Sequence, residues 1–349
     1  GRVNDWPQQG VCSTPFVEGN RLYYTSNRAT LVSLDTEGLK DGNAGPVTDE
    51  KAKGPKDGDV VWEYDMMAEL DVFPHNLAVS SPLVVDGILY ATTGNGVDEG
   101  HINIPVPTAP SFVAVEAATG KLVWESNLPG DKILHGTWSN PAYGVAKGRP
   151  QVVFPGGDGW VYSFEPKTGK LLWQIAGGSD VRYSASLDMI VMATGIYRAL
   201  DGSLLAALPD VWSKADPKIP LQNLPKPLLV VGSRLLFGTS ENLSLFDLTT
   251  GERTGNPIVW QRRGCTIPRA SSHLITTRYR GNAACLDLHS LDIVPFWNVR
   301  AACSNNLFPA NGVLNMPSMT GGCTCNYTPV SQAFVPAAAI GLPGDVGPL

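Results

Sequence analysis

The sequence predicts an all-β chain, a β-propeller of about seven four-stranded antiparallel blades. Three observations carry this reading. A strand–turn–strand unit recurs and closes on tryptophan. Its copies lie about one blade apart. The composition is hostile to long helices, because 349 residues contain 37 glycines and 28 prolines, which would interrupt a helical bundle repeatedly. Apolar residues make up 43 %, enough for a large core and too many for a disordered chain.

The unit is clearest in two copies, Phe112-Val-Ala-Val-Glu-Ala-Ala-Thr-Gly-Lys-Leu-Val-Trp124 and Val161-Tyr-Ser-Phe-Glu-Pro-Lys-Thr-Gly-Lys-Leu-Leu-Trp173. In each, an alternating strand ends in Glu, Thr-Gly makes the turn, and a second alternating strand ends in tryptophan. Glycine supplies the positive φ that such a turn needs. A looser copy runs from Leu243 to Gly251, its tryptophan delayed to Trp260. Another runs from Leu31 to Gly38, with an insertion before Val60-Val61-Trp62. Tyr197–Leu205 and Ala284–Asp292 are degenerate copies. A second hairpin precedes the unit at Phe16–Tyr24, Pro82–Ala91 and Leu228–Phe237.

Two hairpins make a four-stranded sheet of roughly 40–50 residues. The turn glycines Gly38, Gly120, Gly169, Gly202 and Gly251 follow that spacing with two exceptions. The interval from Gly38 to Gly120 holds an insertion at 39–59 and a loop at 94–110. The interval from Gly169 to Gly202 is short for a blade, which implies a degenerate blade or missing residues. The expected blades are 11–62, 79–124, 137–173, 183–208, 226–260, 265–297 and 304–335. They form a single domain over 1–340, with clear repeats at 11–175, divergent repeats at 183–335 and a tail at 341–349.

A formal net charge of −6 argues against a nucleic-acid footprint, which needs a basic face. No run of about 18 apolar residues marks a membrane span. The start at Gly1 reads as a mature form or a fragment. Five of the six cysteines fall in the last third of the chain. Clustering in a loop-rich segment implies disulfides and an oxidising compartment, in bacterial terms periplasmic or extracellular. The disulfide candidates are Cys265, Cys303, Cys323 and Cys325, with Cys265 and Cys303 the leading pair because both follow a blade boundary. Cys12 stands alone in the first half.

The pattern Ala-x-(Asp/Glu)-x-x-Thr-Gly-Lys-x-x-Trp, matched at Ala114–Trp124 and Ser163–Trp173, resembles the repeat of the pyrroloquinoline-quinone-like β-propellers. That family includes quinoprotein alcohol and sugar dehydrogenases and a non-enzymatic outer-membrane assembly lipoprotein. The segments 72–76, 95–105 and 154–160 resemble large secreted bacterial propellers of uncharacterised function. The resemblance implies that Trp62, Trp124, Trp173 and Trp260 dock between neighbouring blades. It leaves function open, because the same blade serves enzymes and scaffolds.

A quinoprotein needs calcium, a base carboxylate and a flat aromatic floor. Asp158 and Trp160, in the turn Gly156-Gly-Asp-Gly-Trp160, offer a carboxylate and a ring, or simply a tight turn and a core tryptophan. Asn95, Asp98, Glu99 and Asn103 are oxygen donors on one glycine-rich loop, suited in type to calcium but off the EF-hand spacing. They read equally as a solvated loop, with His101 a solvated neighbour. His75-Asn76 and His135-Gly-Thr-Trp138 each lie just before the first strand of a blade. There His75 and His135 could act as acid or base, with Asn76 and Trp138 contacting a cofactor, or could cap strands. The adjacent cysteine pair of quinoprotein alcohol dehydrogenases is absent, and no Ser-His-Asp order, nucleophile elbow or His-Glu-x-x-His occurs. The expectation is therefore a binding or scaffold module for a protein or polysaccharide partner, without a cofactor. The alternative is a sugar or alcohol dehydrogenase dependent on pyrroloquinoline quinone and calcium.

Overall fold

The computed structural model describes residues 10–43, 46–55, 57–177, 180–207, 226–263, 268–299, 307–310, 313–316 and 332–335. Its strands form seven antiparallel sheets, each a meander in chain order. The first comprises β1 (Phe16–Glu18), β2 (Arg21–Thr25), β3 (Thr30–Asp35) and β4 (Asp59–Asp65), and the second β5 (Leu83–Val85), β6 (Ile88–Thr92), β7 (Phe112–Glu116) and β8 (Leu122–Ser126). The third holds β9 (Ala142–Ala146), β10 (Arg149–Pro155), β11 (Trp160–Phe164) and β12 (Leu171–Ala176), and the fourth β13 (Arg182–Ser184), β14 (Met189–Met192), β15 (Gly195–Arg198) and β16 (Leu204–Ala207). The fifth is β17 (Lys226–Val231), β18 (Arg234–Gly238), β19 (Asn242–Asp247) and β20 (Arg253–Val259). The sixth is β21 (Arg269–Ala270), β22 (Leu274–Tyr279), β23 (Asn282–Asp287) and β24 (Ile293–Phe296), and the seventh β25 (Phe308–Ala310), β26 (Val313–Met316) and β27 (Gln332–Phe334). The fold class is the expected all-β propeller of four-stranded blades, with three strands described in the last.

The blade at 183–208 is complete, not degenerate. It fits its short interval because its strands have only three or four residues. The insertions at 39–59 and 94–110 fall between the second or third strand of a blade and the next, where they disturb no pairing. Cys265, Cys303, Cys323, Cys325 and the tail 341–349 lie outside the described residues. Cys12 and Cys285 are free thiols.

The chain divides into two compact units, residues 1–208 and 209–349. Within the first, β1 runs beside β5 and β5 beside β9, and consecutive sheets stack face to face. Strand β7 shows how alternation encodes this. Val113 and Val115 join a core with Trp62, Leu31 and Leu89. Phe112 and Ala114 point the other way, into a core with Phe154, Tyr162 and Phe164. A strand covered on both faces must be apolar at successive positions, and Phe112 to Val115 are all buried. In the second unit, Leu236, Leu245, Trp260, Ile275 and Leu286 share a core between the fifth and sixth sheets.

The repeat has a mechanical basis. Ser33, Ala114 and Ser163 sit opposite Trp62, Trp124 and Trp173, each next to a register shift. Each indole N–H then donates to a carbonyl of the following blade: Trp62 to Ala117 at 2.9 Å, Trp124 to Pro166 at 2.7 Å and Trp173 to Ala199 at 3.0 Å. Trp260 is also buried, but its N–H donates to Thr239 of its own sheet at 2.9 Å. It packs against Ile275 and Leu286 of the following sheet, as expected, but from one residue beyond β20 and not from the strand position of the other three.

Candidate histidine site

Three loops at one end of the second and third blades converge. One precedes β5 (73–76), one leaves β6 (94–103) and one precedes β9 (134–138). Isolated bridges pair Pro74 with Asn95 and Gly96 with Gly136. The amides of His75, Gly96 and Val97 donate to the carbonyls of Gly94, Phe73 and His135 at 3.0, 3.0 and 2.8 Å. Asn95, fully buried, locks the junction: its Oδ1 accepts from Phe73 N at 3.0 Å and its Nδ2 donates to the Val106 carbonyl at 3.1 Å. Gly96 is required by space. A Cβ there would lie 2.5 Å from the His135 carbonyl oxygen and 2.7 Å from His75 Cβ.

This convergence clusters the imidazoles of His75, His101 and His135 at tilted or edge-on angles, with ring centroids 4.7, 4.4 and 4.8 Å apart for the pairs 75–101, 75–135 and 101–135. Trp138 packs edge-on against His135 at 4.9 Å and donates its N–H to the His75 carbonyl at 3.2 Å. His75 is 2 % exposed. Its Nδ1 lies 2.8 Å from the Val97 carbonyl oxygen, which can only accept, so Nδ1 carries the proton. Its Nε2 is buried without a hydrogen-bond partner among the described residues. Burial, and then the neighbouring His75 and His101, hold His135 below the usual histidine value of 6.5, which favours neutral imidazole.

His101 reaches the cluster from a loop closed by Asp98, whose carboxylate accepts from Ile102 N at 2.9 Å, Asn103 Nδ2 at 2.9 Å and Asn103 N at 3.3 Å. These bonds, Ile102 N–H first, pull the Asp98 pKa below the ordinary carboxylate value. Asp98 thus spends its oxygens on N–H groups of its own loop and Asn95 its side-chain oxygen on the N–H of Phe73 in the neighbouring loop, and Glu99 is exposed. The four-residue set as placed does not fit a calcium cage, which needs six to eight free oxygens. Asp158 is likewise engaged, accepting from Tyr162 OH at 2.6 Å and Trp160 N at 3.1 Å. Its turn backs the histidine loop, with Leu134 N donating to the Gly157 carbonyl at 2.9 Å. Trp160 is 36 % exposed. Asn76 and Trp138 line a pocket of about 190 Å³ with Leu77 and Val79.

The structure therefore brings together His75, His135, Trp138 and Asn95, and adds His101, which in the sequence reads as a solvated loop residue. The available signal was topological. The start of β5, the end of β6 and the start of β9 all fall at the same end of adjacent blades.

Comparison with known proteins places the chain. Residues 109–290 match the family described as outer membrane protein assembly factor BamB, of the pyrroloquinoline-quinone repeat type. The chain belongs to this family. The quinone-dependent alcohol dehydrogenase subunit of Gluconacetobacter polyoxogenes is 32 % identical over 108 residues, covering 30 % of this chain and 13 % of that protein. The corresponding subunit of Gluconobacter oxydans is 29 % identical over 118 residues, 33 % of this chain and 13 % of that one. The chain thus matches about an eighth of the length of these relatives. Among solved structures, the computationally designed Ika8 protein superposes with a TM-score of 0.56 at 13 % identity, covering 89 % of this chain and 81 % of that one. BamB from Moraxella catarrhalis gives 0.49 at 14 % identity, covering 77 % and 70 %. The BamB-family match begins at residue 109, so the loops carrying His75 and His101 lie before it, and those carrying His135 and Trp138 lie within it.

Proposed function

We propose that this chain is an extracytoplasmic binding module that presents the loop-rich end of its second and third blades to a protein or polysaccharide partner. The observation that carries the reading is a rigid loop surface with exposed apolar tips. Ile102 is 81 % and Leu134 75 % exposed, each beside a histidine of the cluster, on loops held by buried asparagine and glycine contacts. Apolar side chains held out on ordered loops mark interaction sites. Membership of the BamB family supports a scaffold role. Among the described residues no helix is long and apolar enough to cross a membrane.

The second reading is a quinone- and calcium-dependent sugar or alcohol dehydrogenase. It is supported by the local likeness to the alcohol dehydrogenase subunits and weakened by the engaged oxygens of Asp98, Asn95 and Asp158. Two measurements separate the readings. A photo-crosslinking residue at position 102 or 134 is expected to give a discrete adduct in cells, and the same residue at Lys167 none. Dye-linked oxidation of sugars or alcohols after adding quinone and calcium is expected to stay at background. Quinone-dependent turnover that disappears in Asp158→Ala would establish the dehydrogenase instead.

A further inference from the structure

We propose that His75, His101 and His135 form a binding site for a divalent transition-metal ion of the zinc class, with a fourth coordination position for water. The candidate ligand nitrogens all lie within 4.8 Å of one another. Zinc–nitrogen bonds of about 2.0–2.1 Å in tetrahedral geometry put ligand nitrogens about 3.3 Å apart. Closing the gap takes side-chain movement of an ångström or so, and His101, on an exposed loop, has room to make it.

Two features point to a ligand rather than to incidental ring contact. The first is His75. Its Nδ1–H donates to the Val97 carbonyl at 2.8 Å, the contact by which metal-binding histidines fix tautomer and ring orientation. Its Nε2, with a free lone pair, is buried and unpartnered among the described residues. A buried polar nitrogen normally has a partner, and a metal ion supplies one. The second is the framework. Gly96 lets the loops carrying the three histidines approach, Gly136 leaves room for the Trp138 ring, and Trp138 buttresses His135 while its N–H holds the His75 carbonyl. A set of three imidazole nitrogens suits zinc, copper or nickel, not calcium or magnesium. Three protein ligands leave the position that open zinc sites give to water.

The site stands apart from the partner-binding reading, and either can fail without the other. The test is titration of the chelator-treated full chain with Zn²⁺ by calorimetry and with Co²⁺ by visible absorption. One equivalent is expected to bind, with a tetrahedral cobalt spectrum free of thiolate charge-transfer bands. His135→Ala and His101→Ala should each weaken Zn²⁺ binding at least about 100-fold, more than the loss typical of a supporting contact. Because His75 is buried, these two variants carry the test, with far-UV circular dichroism confirming native strands. His273→Ala and His289→Ala replace the remaining two histidines and should bind as the parent does. Absence of saturable Zn²⁺ or Co²⁺ binding, or affinity unchanged in His101→Ala and His135→Ala, overturns the assignment.

Discussion

At the scale of single residues, the recurring glycine does two jobs. Gly120, Gly169 and Gly202 have φ values of +73°, +66° and +74°, as the Thr-Gly turn requires. They also lie under the tryptophan of the preceding blade. A Cβ on Gly169 would be 2.6 Å from a Trp124 ring carbon, and one on Gly120 would be 2.7 Å from Trp62. Gly148 has φ +84° and open space around it, so it isolates the backbone effect within the same blade. Gly148→Ala should cost about 1–2 kcal/mol for a left-handed alanine. Gly169→Ala should add about 1–3 kcal/mol of overpacking. Trp124→Ala should cost about 3–5 kcal/mol, since the ring is 7 % exposed and its N–H bond to Pro166 is lost. In the Trp124→Ala background the Gly169→Ala cost should fall to that of Gly148→Ala. Urea unfolding of the three single variants and the double mutant measures this, and strict additivity would remove the docking role from the glycine.

At the scale of the element, the acidic residue before each turn acts as a staple. Glu165 Oε2 accepts from Thr168 N and Oγ1 at 2.7 Å each and from Lys167 N at 3.1 Å. Asp247 receives Thr249 N at 2.7 Å, and Asp287 receives His289 N and Ser290 N at 2.7 and 2.8 Å. Asp and Glu interchange in the repeat because either carboxylate reaches these N–H groups. For Glu165, burial pushes the pKa up, but the bonds from Thr168 and Lys167 outweigh it and the net shift is below 4.5. A carboxylate lowered on folding contributes stability above its unfolded value, and that contribution disappears as pH falls through the folded value. Glu165→Gln keeps an acceptor oxygen and cannot titrate. Its stability should therefore depend less steeply on pH than the parent's below about 4.5, with the two profiles parallel above pH 6. Identical acid slopes would show that Glu165 does not anchor its turn.

At the scale of the whole molecule, the remaining expectation concerns the thiols. Cys12 and Cys285 are free, and burial raises the Cys285 thiol pKa. The other four, Cys265, Cys303, Cys323 and Cys325, carry the proposal of an oxidising compartment. Mass spectrometry of alkylated, unreduced protein should find at least one disulfide among them, Cys265–Cys303 first, and six alkylated thiols would move the chain to a reducing compartment. The blades themselves were legible in the sequence, because a meander is local: period-two alternation, a carboxylate-capped glycine turn and a closing tryptophan lie within about 15 residues. The fourth blade was harder to read because its strands are short and Ala206 pairs with Ile196, in the register where earlier blades carry the docking tryptophan. Trp260 also packs between two blades, with Leu236 and Leu245 of one and Ile275 and Leu286 of the next, but from one residue beyond β20, a displacement that the residue type does not reveal. The histidine site had no such local signature. His75, His101 and His135 sit in three separate loops, each unremarkable by itself. Only face-to-face stacking of the second and third blades, with Gly96 allowing close approach, turns three distant imidazoles into one cluster. The sequence by itself thus determined the hairpins, turns and blade repeat, because those are contacts between near neighbours. The tertiary structure decided which loop ends meet, because that depends on how whole sheets pack.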